Sequence, residues 1–496
     1  MDTSSPKPRL RLAPSPTGFL HLGNFRTALF GYLLAKKWGG DFILRIEDTD
    51  SKREVEGAVE SLLSVFAKMG LRFDEGPQLG GPVGPYIQSE RLEIYREHAQ
   101  RLVSEGKAYY CFATPEELEA MRAEQTAAKL PPRYDRRYRD VPLAEAKERA
   151  ARGDTYVIRH KMPLSGDILV HDELRGDITF PAAELDDYVL LKSDGGATYQ
   201  LASVVDDHLM GITHVTRGDE WIPSLPKNIT LYADFGWKPP VFIHWPLILN
   251  KGGGKLSKRQ GDVFVEDYLA KGYLPEAIIN FCALLGWHPK DEQEFFTLAE
   301  LEQVFDLNGL GTSPAVFDTE KLDSINAQYI RRKTPAELLP LALPFLEPYL
   351  VTAASHKKES AFLEKAVAIE QSRLKNVSEI GEAAAFLFLD SIDADPALLV
   401  WKKMTPEQTA KNLQELVSAL EHIPADDWSA GELERIIVTQ LKAEEKPLGD
   451  YLWPMRVALS GKKASPGPFE IAAILEKDEA LAKIKQAIGI LSENVL

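Results

Sequence analysis

The sequence predicts an α/β protein whose doubly wound parallel sheet carries an inserted α+β domain and is followed by an all-α carboxyl-terminal region. Three observations lead there. The chain opens on strand, turn, helix and strand. Short strand-like pieces over about 111–195 interrupt that order before sheet-like sequence returns. Beyond about residue 330 the apolar spacing is almost wholly helical.

Residues 9–14 read as a short strand, and Phe25, Ala28, Leu29, Tyr32, Leu33 and Leu34 recur at helical spacing over about 24–37. Gly39 and Gly40 stop that helix, and 41–47 has the apolar character of a buried strand. Strand, helix and strand around a turn rich in Pro and Gly is how a Rossmann-like nucleotide fold begins. Helices follow at 55–68 and 90–106. In the insert a polar helix at 115–129 leads through Pro131 and Pro132 to strand-like 155–161 and 168–171. Sheet pattern resumes at 197–205 and 215–217, with a helix at 227–235 and a strand at 242–249. Helices are predicted at 336–350, 361–375, 406–422, 430–444 and 469–490.

At 496 residues the chain has room for roughly three or more domains of about 150 residues each. A 44% hydrophobic and 27% charged composition is that of an ordinary globular protein with ample core. Two cysteines, Cys111 and Cys282, cannot build a disulfide framework, and no Cys/His cluster has zinc-ligand spacing. That fits a reducing cytoplasm. No apolar run approaches the ~20 residues that a bilayer span needs, and residues 1–9 carry neither a signal nor a transit pattern. A cytoplasmic protein without membrane contact is therefore expected.

The net charge of −16 argues against indiscriminate polyanion binding. Residues 331–496 hold 20 Lys and Arg against 25 Asp and Glu, net −5, which leaves −11 for residues 1–330. A polyanion must then meet local basic patches. Candidates are Arg133, Arg136, Arg137 and Arg139 beside Tyr134 and Tyr138, and the run Arg331-Arg332-Lys333; for each taken alone a solvated face is the favoured reading.

Two distant motifs suggest a nucleotide site. Ala13-Pro14-Ser15-Pro16-Thr17-Gly18 runs into His21-Leu22-Gly23-Asn24, a tight turn opening a helix whose N–H groups and dipole favour phosphate. Far downstream, Lys255-Leu256-Ser257-Lys258-Arg259 follows three glycines and can neutralise a pyrophosphate leaving group. Alone, the first is a turn with an incidental histidine and the second an exposed basic loop; the pair in this order outweighs both readings. Arg11 and Arg217 fall near strand ends, where a guanidinium fork can read a carboxylate. Glu47 ends another strand and can hold an ammonium group. A salt bridge is the competing role for each of these three, and a core position for Tyr199.

These motifs, with Arg45-Ile46-Glu47-Asp48-Thr49-Asp50 and the stretch from Tyr199 to Trp221, resemble a bacterial-type glutamyl-tRNA synthetase, a class I aminoacyl-tRNA synthetase. The resemblance is specific from residue 9 to about 330 and looser in the helical remainder. It implies the boundaries 1–110 and 196–255 for the two halves of the catalytic fold, 111–195 for an inserted acceptor-binding domain, and 256–330 for a stem-contact domain. It implies helical anticodon-binding domains at 331–390 and 391–496. Arg11, Ala13, Ser15, Glu47, Tyr199 and Arg217 are then expected to bind glutamate. His21, Gly23, Glu220, Lys255, Leu256, Ser257, Lys258 and Arg259 are expected on the ATP side, with His21, Lys255 and Lys258 catalytic. Arg331, Arg332 and Arg373 are expected to touch tRNA.

The implied substrates are L-glutamate, ATP with Mg²⁺, and tRNA(Glu), handled by a monomer. Many relatives bind zinc in the insert through a cysteine cluster; here Cys111 stands without partners, so no structural zinc is expected. Arg373 matches a position that checks the anticodon and leans toward exclusion of tRNA(Gln). A non-discriminating form would also charge tRNA(Gln) and depend on a partner amidotransferase. A glutaminyl-tRNA synthetase is disfavoured by the helical tail. A small-molecule adenylyltransferase would have no use for that tail or the insert, and a non-catalytic tRNA-binding homologue would tend to lose the catalytic side chains.

Overall fold

Arg9–Leu12 (β1) and Asp41–Leu44 (β2) run parallel, with Arg11 opposite Ile43. The helix between them, Leu22–Lys37 (α1), covers the sheet. The computed structural model describes residues 7–49, 55–254, 263–391 and 394–493. The chain divides into one unit of residues 1–267 with 279–318 and a second of 268–278 with 319–496.

α1 is apolar nearly all round because it is buried nearly all round. Phe25, Leu29, Phe30, Leu33 and Leu34 are each at most 1% exposed, and each such side chain stabilises the fold by about 1.5–3 kcal/mol. Gly31 lets the helix approach the sheet: a Cβ there would lie 2.9 Å from Thr216 Oγ1. The helix ends at Trp38, and Gly39 takes the left-handed φ of +65° that the turn into β2 requires.

The remaining strands of the first unit are Ala108–Cys111 (β3), Val157–His160 (β4), Asp167–Asp172 (β5), Gly176–Pro181 (β6), Val189–Leu191 (β7), His214–Gly218 (β8), Val241–Trp245 (β9), Ile248–Leu249 (β10) and Ala315–Val316 (β11). β8 and β9 are parallel, and Arg217 faces His244 in their register. β5 joins β9 in parallel at Asp172 and Phe242, and β6 returns antiparallel along β5. Thr213 N–H donates to Arg9 O at 2.9 Å, so β1 lies beside the start of β8. The strands thus follow one another as β2, β1, β8, β9, β5 and β6. β3, β4 and β7 form a separate antiparallel sheet.

Residues 197–205, expected as sheet, instead lead into and form most of the helix Tyr199–Leu209. Its buried residues run from Leu201 through Asp207 and include two carboxylates. A strand would send Asp206 and Asp207 to opposite faces; the helix lets both meet buried arginines, and that pairing outweighs β-propensity. The strand expected at 242–249 is broken at Pro246 into β9 and β10.

The second unit is built from helices among the described residues, including Thr319–Arg332, Pro335–Leu350, Ser360–Gln371, Pro406–Glu421 and Ala430–Ala443. Pro335 and Pro406 occupy first turns, where a missing N–H costs nothing, behind capping boxes from Thr334 with Glu337 and Thr405 with Gln408. The single helix expected at 469–490 is two, Pro468–Leu475 and Lys477–Glu493, divided at Glu476 with φ +66°. Leu448–Ser460, absent from the sequence expectation, is also helical although Pro454 lies inside it.

Candidate active site

A cleft of about 620 Å³ opens where β1, β8 and β9 end, the position at which parallel α/β sheets bind ligands. Arg11, Ala13, Ser15, His21, Gly23, Glu47, Tyr199, Arg217 and Glu220 all line it. Lys255, Leu256, Ser257, Lys258 and Arg259 lie outside the described residues. The residues flanking that stretch are near the cleft: Ile248 lines it, while Leu22 N–H donates to Val263 O at 2.8 Å and Val265 N–H to Leu20 O at 3.1 Å.

His21 caps α1, its Nδ1 accepting from Gly23 N–H at 3.1 Å. With Nδ1 an acceptor, the neutral ring carries its proton on Nε2. Arg26, one turn on, is buried with no carboxylate partner among the described residues; it donates to the Pro246 and Leu285 carbonyls, and burial pushes it down to about 10.

The two carboxylate-reading candidates are held differently. Arg11 donates to both Asp207 oxygens, at 2.9 and 3.3 Å. Arg45, fully buried, joins Asp207 at 2.8 Å and Glu47 at 3.0 Å. Burial pulls Asp207 upward, but Arg11 and Arg45 outweigh it and hold the carboxyl below its usual range. Burial raises Glu47 against the opposing pull of Arg45 and Arg11. Arg217 instead donates from Nε to His244 Nε2 and from Nη1 to Tyr199 Oη, each at 3.0 Å. Its Nη2 is buried and has no hydrogen-bond partner among the described residues. A cation is thus seated in the cleft with one donor nitrogen to spare.

Asp207, Arg45, Arg26, Trp221, His244 and Asp172 did not emerge as site residues from the sequence. Trp221, whose ring packs 4.6 Å from Tyr199, and Arg26 line the cleft. The adjacent acids Asp206 and Asp207 inside an apolar run were the readable signal, since buried carboxylates demand cations.

Two of the four arginines in the arginine/tyrosine patch turn inward onto a buried acid. Arg136 and Arg139 reach the buried Asp187 at 3.2 and 2.7 Å, Arg133 donates to Ala183 O, and Arg137 pairs with Asp135. The charges of Arg136 and Arg139 are spent inside the fold, whereas Arg137 and Asp135 form a solvent-exposed pair. Cys111, also buried, donates to Tyr134 Oη at 3.1 Å.

In the second unit Arg331 and Arg332 are exposed, the latter over the Tyr329 ring. Arg373 pairs with Glu370 at 3.2 Å. Glu370 is 2% exposed, and burial pushes its carboxyl up to about 7 against the pull of Arg373 and Lys462. The folded chain therefore holds this proton more tightly than the unfolded one. The stabilisation is full below the ordinary value of 4.5 and is lost as pH rises through about 7. Thermal unfolding between pH 5 and pH 8 should show a loss of about 1–3 kcal/mol that Glu370→Gln flattens. An identical pH slope in the variant would assign the effect elsewhere.

Residues 7–324 match the family described as tRNA synthetases class I (E and Q), catalytic domain, and residues 337–488 match the anticodon binding domain. A glutamate–tRNA ligase of Clostridium botulinum (strain Hall) is 46% identical over 98% of this chain and 98% of that protein. One from Dehalococcoides mccartyi (strain CBDB1) is 45% identical with the same coverage. The crystal structure of a glutamate tRNA ligase from Elizabethkingia meningosepticum, in complex with its amino acid, superposes with a TM-score of 0.89 at 37% identity, covering 98% of this chain and all of that one. A cleft at the strand ends, lined by residues of the APSPTG-HLGN turn, and full-length similarity agree: this chain belongs to the glutamate–tRNA ligases, within the class I tRNA synthetases.

Proposed function

We propose that this chain joins L-glutamate to tRNA(Glu) in two steps within the cleft. The glutamate α-carboxylate attacks the α-phosphorus of ATP, releasing pyrophosphate and leaving glutamyl-adenylate. The 2′-hydroxyl of the terminal adenosine of tRNA then attacks the activated carbonyl, and AMP departs.

The observation that carries this reading is the buried Arg217 with its open Nη2, in one cleft with Arg11 and Glu47. Two cations and one acid suit an amino acid that bears a side-chain carboxylate. Arg217 takes carboxylate with its open Nη2, Arg11 takes it through the Nη1 that Asp207 does not engage, Glu47 takes the α-ammonium, and Ala13 and Ser15 lie along the amino acid. An ammonium arriving at Glu47 favours the ionised carboxylate that burial alone disfavours. A neutral glutamine amide would leave a buried guanidinium short of its anion, which is why arginine can reject it without an editing site.

His21 and Gly23, at the amino end of a 16-residue helix, receive phosphate. Glu220, at the rim, belongs to the nucleotide side. Lys255 and Lys258, with Leu256, Ser257 and Arg259, neutralise the leaving pyrophosphate; this assignment rests on their sequence. Magnesium bound with ATP would screen the charge of the phosphates. Arg331, Arg332 and Arg373 meet the tRNA.

Glutamate transfer to separate tRNA(Glu) and tRNA(Gln) transcripts tests the reading. Charging of tRNA(Glu) alone supports it together with a discriminating role for Arg373. Charging of both keeps the chemistry and removes Arg373 as a gate. No charging of a cognate tRNA(Glu), with no ATP–pyrophosphate exchange, would overturn it.

A further inference from the structure

The guanidinium of Arg217 is held by a buried chain of contacts that begins in another strand and ends in a third. Arg217 Nε can only donate, so the His244 Nε2 that faces it at 3.0 Å must accept. The imidazole proton is thereby forced onto Nδ1, which donates to Asp172 Oδ2 at 2.7 Å. Asp172 is itself fixed: Oδ2 also accepts from His244 N–H, and Oδ1 accepts from the N–H groups of Leu174 and Arg175, each at 3.1 Å. His244 and Asp172 are both 0% exposed, and Arg217 is 6%.

The neutral ring does two things that a carboxylate could not do together. It anchors the guanidinium, and it keeps Asp172 from neutralising it. Arg11 shows the opposite arrangement, a cation paired directly with both oxygens of Asp207. Burial and the neighbouring Arg217 also push His244 below its ordinary value, against the hydrogen bond to Asp172, which agrees with an uncharged ring.

We propose that His244, oriented by Asp172, is a positioning residue that keeps the Arg217 guanidinium off a protein carboxylate and aimed for the substrate carboxylate, and that the pair thereby sets the preference for glutamate over its neutral amide. This rests on the reading that Arg217 takes that carboxylate. Register explains why the sequence alone hides the device: Arg217 and His244 are cross-strand neighbours in β8 and β9, whereas Asp172 comes from β5, in the stretch expected as an insert.

The test is steady-state aminoacylation by the full chain with tRNA(Glu), varying glutamate and ATP separately. His244→Ala opens a path for Arg217 to collapse onto Asp172, and should raise KM for glutamate by about ten- to a hundred-fold while KM for ATP stays within about two-fold. Its kcat/KM preference for glutamate over glutamine should fall. His244→Gln, whose amide oxygen can accept from Arg217, should recover most of the loss. Asp172→Asn removes the charge that fixes the ring proton and should raise the glutamate KM in the same direction; it carries the test if His244→Ala does not fold. Arg217→Ala is measured beside them. A raised glutamate KM in Arg217→Ala with no change in the His244 and Asp172 variants would overturn the inference alone. So would a parallel rise in both KM values that Gln does not rescue. An unchanged glutamate KM in Arg217→Ala would remove the role of Arg217 and the inference with it.

Discussion

Arg217→Ala is expected to lower kcat/KM for glutamate by roughly thirty- to several-thousand-fold, equivalent to about 2–5 kcal/mol for truncating one side of a buried charge pair. The effect is large because Nη2 has no partner to fall back on among the described residues, and because the cleft is a low-dielectric setting for whatever anion arrives. The KM for ATP should hardly move. Arg217→Lys keeps the charge but has neither the fork nor the Nε that His244 engages, so it should recover only part of the loss. ATP–pyrophosphate exchange in the presence of tRNA(Glu) measures both variants. Survival of glutamate dependence within about three-fold of the parent in Arg217→Ala, well below what a lost charge-assisted fork costs, would exclude Arg217 from the carboxylate seat.

The second large effect is on stability. Asp207→Ala should cost about 3–5 kcal/mol, because it strands Arg11 and Arg45 in the interior with too little negative charge. Asp207 accepts from both arginines, and Arg45 is otherwise shared between Glu47 at 3.0 Å and Asp206 at 3.7 Å. Asp207→Asn preserves shape and isolates the charge. Thermal unfolding of the full chain at pH 7 reads the loss. A shift equivalent to under about 1 kcal/mol would mean that the remaining acids suffice, contrary to the usual cost of breaking a buried pair. The linkage sign here is opposite to that of Glu370. Asp207 is held below its ordinary value, so its stabilisation is present above that value and lost only as acid protonates it.

Much of the site was readable because its ligands are local in sequence. The turn from Ala13 to Gly23 and the stretch from Thr216 to Trp221 each carry several lining residues close together, and Ile46 and Glu47 are adjacent. What could not be read was who holds them. Residues 197–205 looked like sheet, and the burial of Asp206 and Asp207 beside Arg11, Arg45 and Arg91 explains a helix there. The basic patch around Arg136 looked available until Asp187, about fifty residues away, was found under it.

By itself the sequence determined the α/β class and the helical carboxyl region through periodicity, and the family through motifs that resemble known synthetases; nine residues named from those motifs line the cleft. Only the tertiary structure decided which charges are available and which are already paired. Arg11 is bound to Asp207, Arg139 to Asp187, and Arg217 alone of these rests on a neutral ring with a nitrogen open. The reason is physical: charge pairing depends on distances of about 3 Å between groups separated by tens to hundreds of residues. Strand register and helix docking set those distances, and neither is written in any single segment.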